Sequence, residues 1–225
     1  MGIELPEPII SEQSYQEAFT NEIGVNNSVR FLKNICGLWL IQESKRHWLA
    51  GGEDVPYGKM ASLAAEATPF RSLINPDDPL FVEAGRMPEK IQEFCHKTGQ
   101  PIPESKGEII RCIYESLALR YAAVWKKLIQ YTEHKPKTLH IVGGGCQDKL
   151  LNQFAANAIS VKVAACPIEA TGLGNILAQM LADASINNID EGRHIVLNSS
   201  LVEIFEPTDQ VPWAEASAKF TSICS

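Results

Sequence analysis

The chain has 225 residues, 45% of them hydrophobic and 21% charged, a balance that packs a core and rules out a disordered polypeptide. Its formal net charge of −7, with no Lys/Arg cluster to offset it, argues against nucleic acid as a partner. No apolar run approaches the roughly 18 residues a membrane helix needs, and Met1-Gly2-Ile3-Glu4-Leu5-Pro6 has no leader character, so a cytoplasmic protein without a membrane partner is expected.

The first 28 residues are polar and interrupted by Pro6 and Pro8, and read as a loop or frayed edge. From about Val29 to Leu49 the apolar positions Leu32, Ile35, Cys36, Trp39 and Leu40 recur at helical spacing, and Gly51-Gly52 ends that helix. A shorter helix follows near Tyr57 to Thr68. The Pro/Asp-rich stretch Ile74 to Pro79 leads into Leu80-Phe81-Val82, read as a short extended segment. Met87-Pro88 opens a helix with Pro88 near its first position, and Gly99, Pro101 and Pro103 close it into a rigid connector. Ser105 and Glu108 then form a capping box for the longest helix, whose stripe Ile109, Ile113, Leu117, Tyr121, Val124 and Leu128 is core packing.

After Pro136 the period changes. Leu139 to Val142 is a strand, Cys146 to Ile159 a helix and Val161 to Ala165 a second strand, and Thr171-Gly172-Leu173-Gly174-Asn175 is a glycine turn opening a helix to about Ala184. This βαβα order makes the two strands parallel neighbours, with a ligand expected at their carboxyl ends. Further helices are expected near Glu191 to Leu197 and after Pro212. So few strands make a thin sheet: either the protein is mostly helical, or strands that complete the sheet lie outside this chain.

The most informative stretch is Gly143-Gly144-Gly145, between a strand and a helix. Consecutive glycines there allow a tight turn and a ligand close to the backbone, while the first amides of the helix favour an anion. The spacing matches neither a P-loop nor the G-x-G-x-x-G dinucleotide motif. Cys146 and Gln147 open the helix, where a thiol's pKa is lowered, but no base stands beside Cys146 and it is not assigned as a nucleophile. The other cysteines are Cys36, Cys95, Cys112, Cys166 and Cys224. No C-x-x-C pair occurs and the histidines are scattered, so no metal ligands are assigned and free thiols are expected. Cys95 and Cys112 bracket a short Pro-containing turn between two helices. Asp77, Asp78, Asp148, Asp183 and Asp190 read as loop turns and helix caps, and none is assigned as a base.

Taken together, Lys33 to Gln42, Gln100 to Ser105, Ser116 to Tyr121, Leu139 to Gln147 and Glu169 to Ile176 form an ordered pattern. Over roughly residues 20 to 207 the chain resembles the FGGY carbohydrate kinases. The resemblance implies an α/β, ribonuclease-H-like (actin-like ATPase) C-terminal domain, helix-rich and with an incomplete sheet. Residues 1–28 would be an edge remnant of its first strands and residues 29–225 the nucleotide-binding domain. An N-terminal sugar-binding domain, the catalytic aspartate and a phosphate-gripping Gly-Thr-Trp-Ser strand are expected to lie outside the chain, so no catalytic residue is assigned within it.

Such kinases pass the γ-phosphoryl group of ATP, with Mg²⁺, to a sugar hydroxyl, and the pattern is nearest to members acting on the 1-hydroxyl of L-rhamnulose. The full-length enzyme would bind that sugar; this chain alone would be inactive. By the resemblance, Gln42, Gly144 and Gly145 contact ATP or ADP, and Asn34 lines the nucleotide or substrate cleft. Asn34 and Gln42, eight residues apart on one helix, would face the same cleft. Asn152 and Gln153 would reach toward adenine, and Cys95 and Cys112 stand where a related kinase can carry a disulfide. A second cysteine pair is replaced by Ala155 and Ile159. An unpaired sheet edge near the N-terminal segment favours self-association. The alternative is a non-catalytic nucleotide-binding or regulatory module of the same superfamily.

Overall fold

A computed structural model describes residues 1–132 and 135–224. The N-terminal segment is not a loop: β1 (Gly2–Leu5), a short α1 (Glu12–Gln16), β2 (Thr20–Ile23) and β3 (Val29–Leu32) form a three-stranded antiparallel sheet in the order β1-β3-β2. β3 pairs Phe31 with Ile3 on one side and Asn21 on the other. The expected helix from Val29 is therefore split. Val29-Arg30-Phe31-Leu32 is β-branched and aromatic, and it alternates, with Phe31 fully buried beside an exposed Arg30. The chain then leaves the sheet, passes Gly37 and begins α2 (Trp39–Ala50). Long-range strand pairing overrode the helical spacing of apolar residues.

α3 (Tyr57–Glu66) and α4 (Met87–Lys97) lie as expected. Leu80-Phe81-Val82 is not extended: Pro79–Phe81 is a 3-10 turn, because the Asp78 side chain accepts from the Leu80 amide and Pro79 is preset for a first helical position. α5 (Lys106–Leu128) starts at the Ser105/Glu108 capping box, with the Glu108 amide donating to Ser105 Oγ at 3.2 Å and the Ser105 amide donating to Glu108 Oε2 at 3.1 Å. α5 is the spine of the molecule. Its Ile109, Ile110, Ile113 and Leu117 enter the largest apolar cluster, with α2, α3, α4 and α9 (Val211–Ile223); Trp125 enters a second cluster, and Val124 and Leu128 a third with Phe19 and Phe31. Burying each such side chain contributes about 1.5–3 kcal/mol.

The second sheet has the order β4-β5-β6, from β4 (Thr138–Ile141), β5 (Lys162–Ala165) and β6 (Glu203–Phe205). β4 and β5 are parallel, joined through α6 (Lys149–Ile159), as the βαβ pattern requires; β6, too short to read from sequence, adds antiparallel to β5. The second glycine turn is absent, because Gly172 and Gly174 lie inside α7 (Ala170–Ala182). α8 (Ile189–Ser199) begins at an Asn188 cap and packs against α7. β1 and β4 are outer strands of their sheets, and Met1 and Gly2 line the same cavity as Leu139, His140 and Ile141.

Candidate functional site

The glycine run leaves β4 through Gly143, whose φ of +76° suits a residue without a side chain. The Gly143 amide donates to Pro167 O at 2.9 Å and the Cys166 amide to Ile141 O at 3.0 Å, tying the turn to the chain beyond β5. Gly144–Gln147 is a 3-10 turn, so α6 does not start directly after the glycines as expected but at Lys149, capped by Asp148. Asp148 Oδ1 accepts from the Leu151 amide at 3.1 Å, and its Oδ2 accepts from the Tyr114 hydroxyl. Cys146 is buried under the turn, and burial, with Cys166 adding to it, raises its thiol pKa. The expected lowering at a helix terminus is thus not met: Cys146 lies in the 3-10 turn ahead of α6, and burial disfavours its thiolate.

Facing the turn is a cavity of about 1070 Å³. Gly144, Gly145 and Gln42 all line it, joined by Asp148 and Asn152 from α6 and its cap and by Tyr57, Gly58 and Ala61 from α3. A Cβ built on Gly144 meets nothing within 4 Å, and on Gly145 only Ile141 Cγ2 at 4.0 Å. The protein's own packing does not require a bare backbone there. Asn152 is wholly buried; its Nδ2 donates to Cys146 O at 2.8 Å, while its Oδ1 has no hydrogen-bond partner. Gln153, paired with it in sequence reasoning, turns instead to Glu206 O and Asn157 Oδ1, both at 2.8 Å.

Asn34 is not on a helix with Gln42. It lies between β3 and α2 and lines a second cavity of about 490 Å³ with Asp77, Asp78 and Phe81. Ile35, Cys36 and Gly37 line both cavities and form the wall between them. Of the five singled-out aspartates, four cap or pair within their own segments, Asp148 also accepting from Tyr114. Asp78 and Asp148 cap, Asp183 accepts from the Ser185 amide at 2.9 Å, and Asp190 pairs with Arg193 at 3.0 Å. Asp77 pairs with Arg120 across 43 residues.

Cys95 and Cys112 are both buried and free, and their thiols lie against each other. That contact, together with burial, raises the thiol pKa of Cys112. Among the described residues no three His, Cys, Asp or Glu side chains cluster closely enough to hold a metal ion. No helix among the described residues is long and apolar enough to cross a membrane.

The model of the C-terminal domain of the FGGY family of carbohydrate kinases fits residues 1–182. The chain belongs to that family. It is 41% identical over 220 residues to a rhamnulokinase of Bacteroides thetaiotaomicron, covering 98% of this chain and 44% of that protein. To a rhamnulokinase of Enterococcus faecalis it is 43% identical over 208 residues, covering 92% and 42%. The chain thus spans less than half the length of the curated relatives it matches. Among solved structures, xylulose kinases from Rhodospirillum rubrum and Lactobacillus acidophilus superpose with TM-scores of 0.67 and 0.64 over 99% of this chain and 44% and 42% of theirs. At 16% and 15% identity they share its fold, the actin-like ATPase fold of the FGGY kinases.

The glycine turn and Gln42 are legible in the sequence, whereas Tyr57, Gly58 and Ala61 join them in the cavity lining unannounced. Their only signal is Pro56 setting the start of α3, which says nothing about what the helix faces.

Proposed function

We propose that the 1070 Å³ cavity binds an adenine nucleotide, and that this chain is the nucleotide-binding part of an enzyme that moves the γ-phosphoryl group of ATP to the 1-hydroxyl of L-rhamnulose. The observation that carries the reading is the convergence of Gly144, Gly145 and Gln42, from two distant parts of the sequence, on one cavity of nucleotide size. Open space over Gly144 lets a ligand lie against its backbone. Asn152 Oδ1, buried with no partner, is an acceptor for an exocyclic amine such as that of adenine.

Phosphoryl transfer is mostly positioning and charge neutralisation. The chain's part is to hold the nucleotide. Mg²⁺ would come to the site with the nucleotide phosphates and neutralise their charge. The base and the sugar-binding surface are assigned to the other half of the enzyme, in the cytoplasm, where six free thiols stay reduced.

A coupled assay with ATP and L-rhamnulose, run beside ADP-binding measurements, tests this division. Nucleotide binding without turnover by this chain is expected. Turnover by the chain alone would refute the division, and absence of any nucleotide binding would refute the site.

A further inference from the structure

The Asn75-Pro76-Asp77-Asp78-Pro79 motif has no part in the cavity opposite Gln42, yet one of its carboxylates reaches the wall of that cavity. Asp77 Oδ1 accepts from the Cys36 amide at 2.8 Å, and Asp77 Oδ2 accepts from Arg120 Nε at 2.6 Å. The motif is itself fixed to α5, because the Ile74 amide donates to the buried hydroxyl of Ser116 at 2.9 Å. Asp77 and Arg120 are only a fifth to a quarter exposed, so their attraction is less screened than that of a surface pair.

We infer that Asp77, clamped by Arg120, is a positioning residue that holds the Ile35–Gly37 wall in place and so sets how Asn34 and Gln42 face their two cavities. The wall needs such an anchor. Between β3 and α2 its backbone belongs to neither strand nor helix, and a backbone amide off the ladder must find another acceptor. Asp77 supplies it across 41 residues of sequence, and Arg120 on the rigid α5 supplies the fixed point. Asp78, one residue on, faces its own 3-10 turn and has no link to the wall. The consequence for ligand affinity rests on the nucleotide reading of the cavity; the mechanical role does not.

Cys36 is a reporter built into the wall. Its thiol pKa is pushed up to about 11 by burial first and by the Asp77 charge second, so it alkylates slowly in the folded protein. Asp77→Ala and Asp77→Asn both remove the charge, but only Asp77→Ala removes the acceptor for the Cys36 amide. The difference between them isolates the hydrogen bond.

Iodoacetamide labelling under native conditions, mapped to Cys36 by mass spectrometry, should run about tenfold faster in Asp77→Ala than in Asp77→Asn. ADP affinity should fall by a similar factor in Asp77→Ala and be largely restored in Asp77→Asn. Asp78→Ala should label like the wild type. If Asp77→Ala does not fold, Arg120→Met carries the test, because it frees the carboxylate from its fixed point and should label faster than wild type. Equal Cys36 labelling in Asp77→Ala and Asp77→Asn, or wild-type labelling in Arg120→Met where that variant must serve, overturns the clamp. Faster labelling with no ADP binding even by the wild type keeps the clamp and overturns the nucleotide reading.

Discussion

The hydroxyl of Tyr114, on the buried face of α5, donates to the carboxylate of Asp148, the residue that caps α6 directly after the glycine turn. The longest helix of the core thereby fixes the start of the helix that carries the turn. Tyr114 is 1% exposed, and burial first, then the Asp148 charge, raise its pKa, so it stays a donor at every working pH. Tyr114→Phe keeps the ring and removes only this bond. It should cost about 1.5–3 kcal/mol, the range for a hydrogen bond to a charged group. Urea unfolding of the two proteins measures it; an unchanged midpoint would mean that Asp148 is held by its helix-capping bond alone.

The three glycines should separate by substitution. Gly143→Ala puts a side chain at a φ of +76° and should destabilise by about 1–3 kcal/mol. Gly144→Val meets open space at its Cβ and should leave the unfolding midpoint close to wild type. Thermal melts of both variants check the contrast.

Gly107 is a glycine for a different reason. A Cβ there would lie 2.5 Å from the carbonyl oxygen of Leu63, where α3 crosses α5. Gly107→Ala should therefore force the helices apart, at about 1–3 kcal/mol by analogy with overpacked cores. Denaturant titration should show a lower midpoint.

Glu115 gives stability a defined pH dependence. It is 1% exposed, accepts from Arg111 Nε at 2.7 Å and from the Phe70 amide at 2.8 Å, and its pKa is nonetheless raised from the usual 4.5 to about 6. Burial is the larger effect and the Arg111 charge opposes it without cancelling it. Because the folded value lies above the unfolded one, its favourable contribution is complete below pH 4.5 and is lost as pH rises through about 6. Glu115→Gln removes that titration, so the wild type should lose about 2 kcal/mol relative to the variant across this window. Unfolding free energies from pH 4 to 8 measure it; parallel curves would contradict it.

Local chemistry was legible where it decided structure. The Ser105/Glu108 box, Pro88 at the start of α4 and the β4-α6-β5 order all lie where their residues require. Long-range pairing was not legible. Val29 to Leu32 matches a helical stripe when read alone, and only its two partners, β1 and β2, make it a strand. The same limit applied to the site. Gly144 and Gln42 carried a pattern, whereas Asp77 looked like one more turn residue, because its partners Cys36 and Arg120 are 41 and 43 residues away.

The nucleotide site is the central claim, and calorimetric titration of ADP into the wild-type chain and into Gly144→Val tests it most directly. The account predicts saturable binding by the wild type and an affinity at least about tenfold weaker in Gly144→Val, the two proteins unfolding at the same midpoint. No heat of binding to the wild type at millimolar ADP, or equal affinity in both proteins, would contradict it.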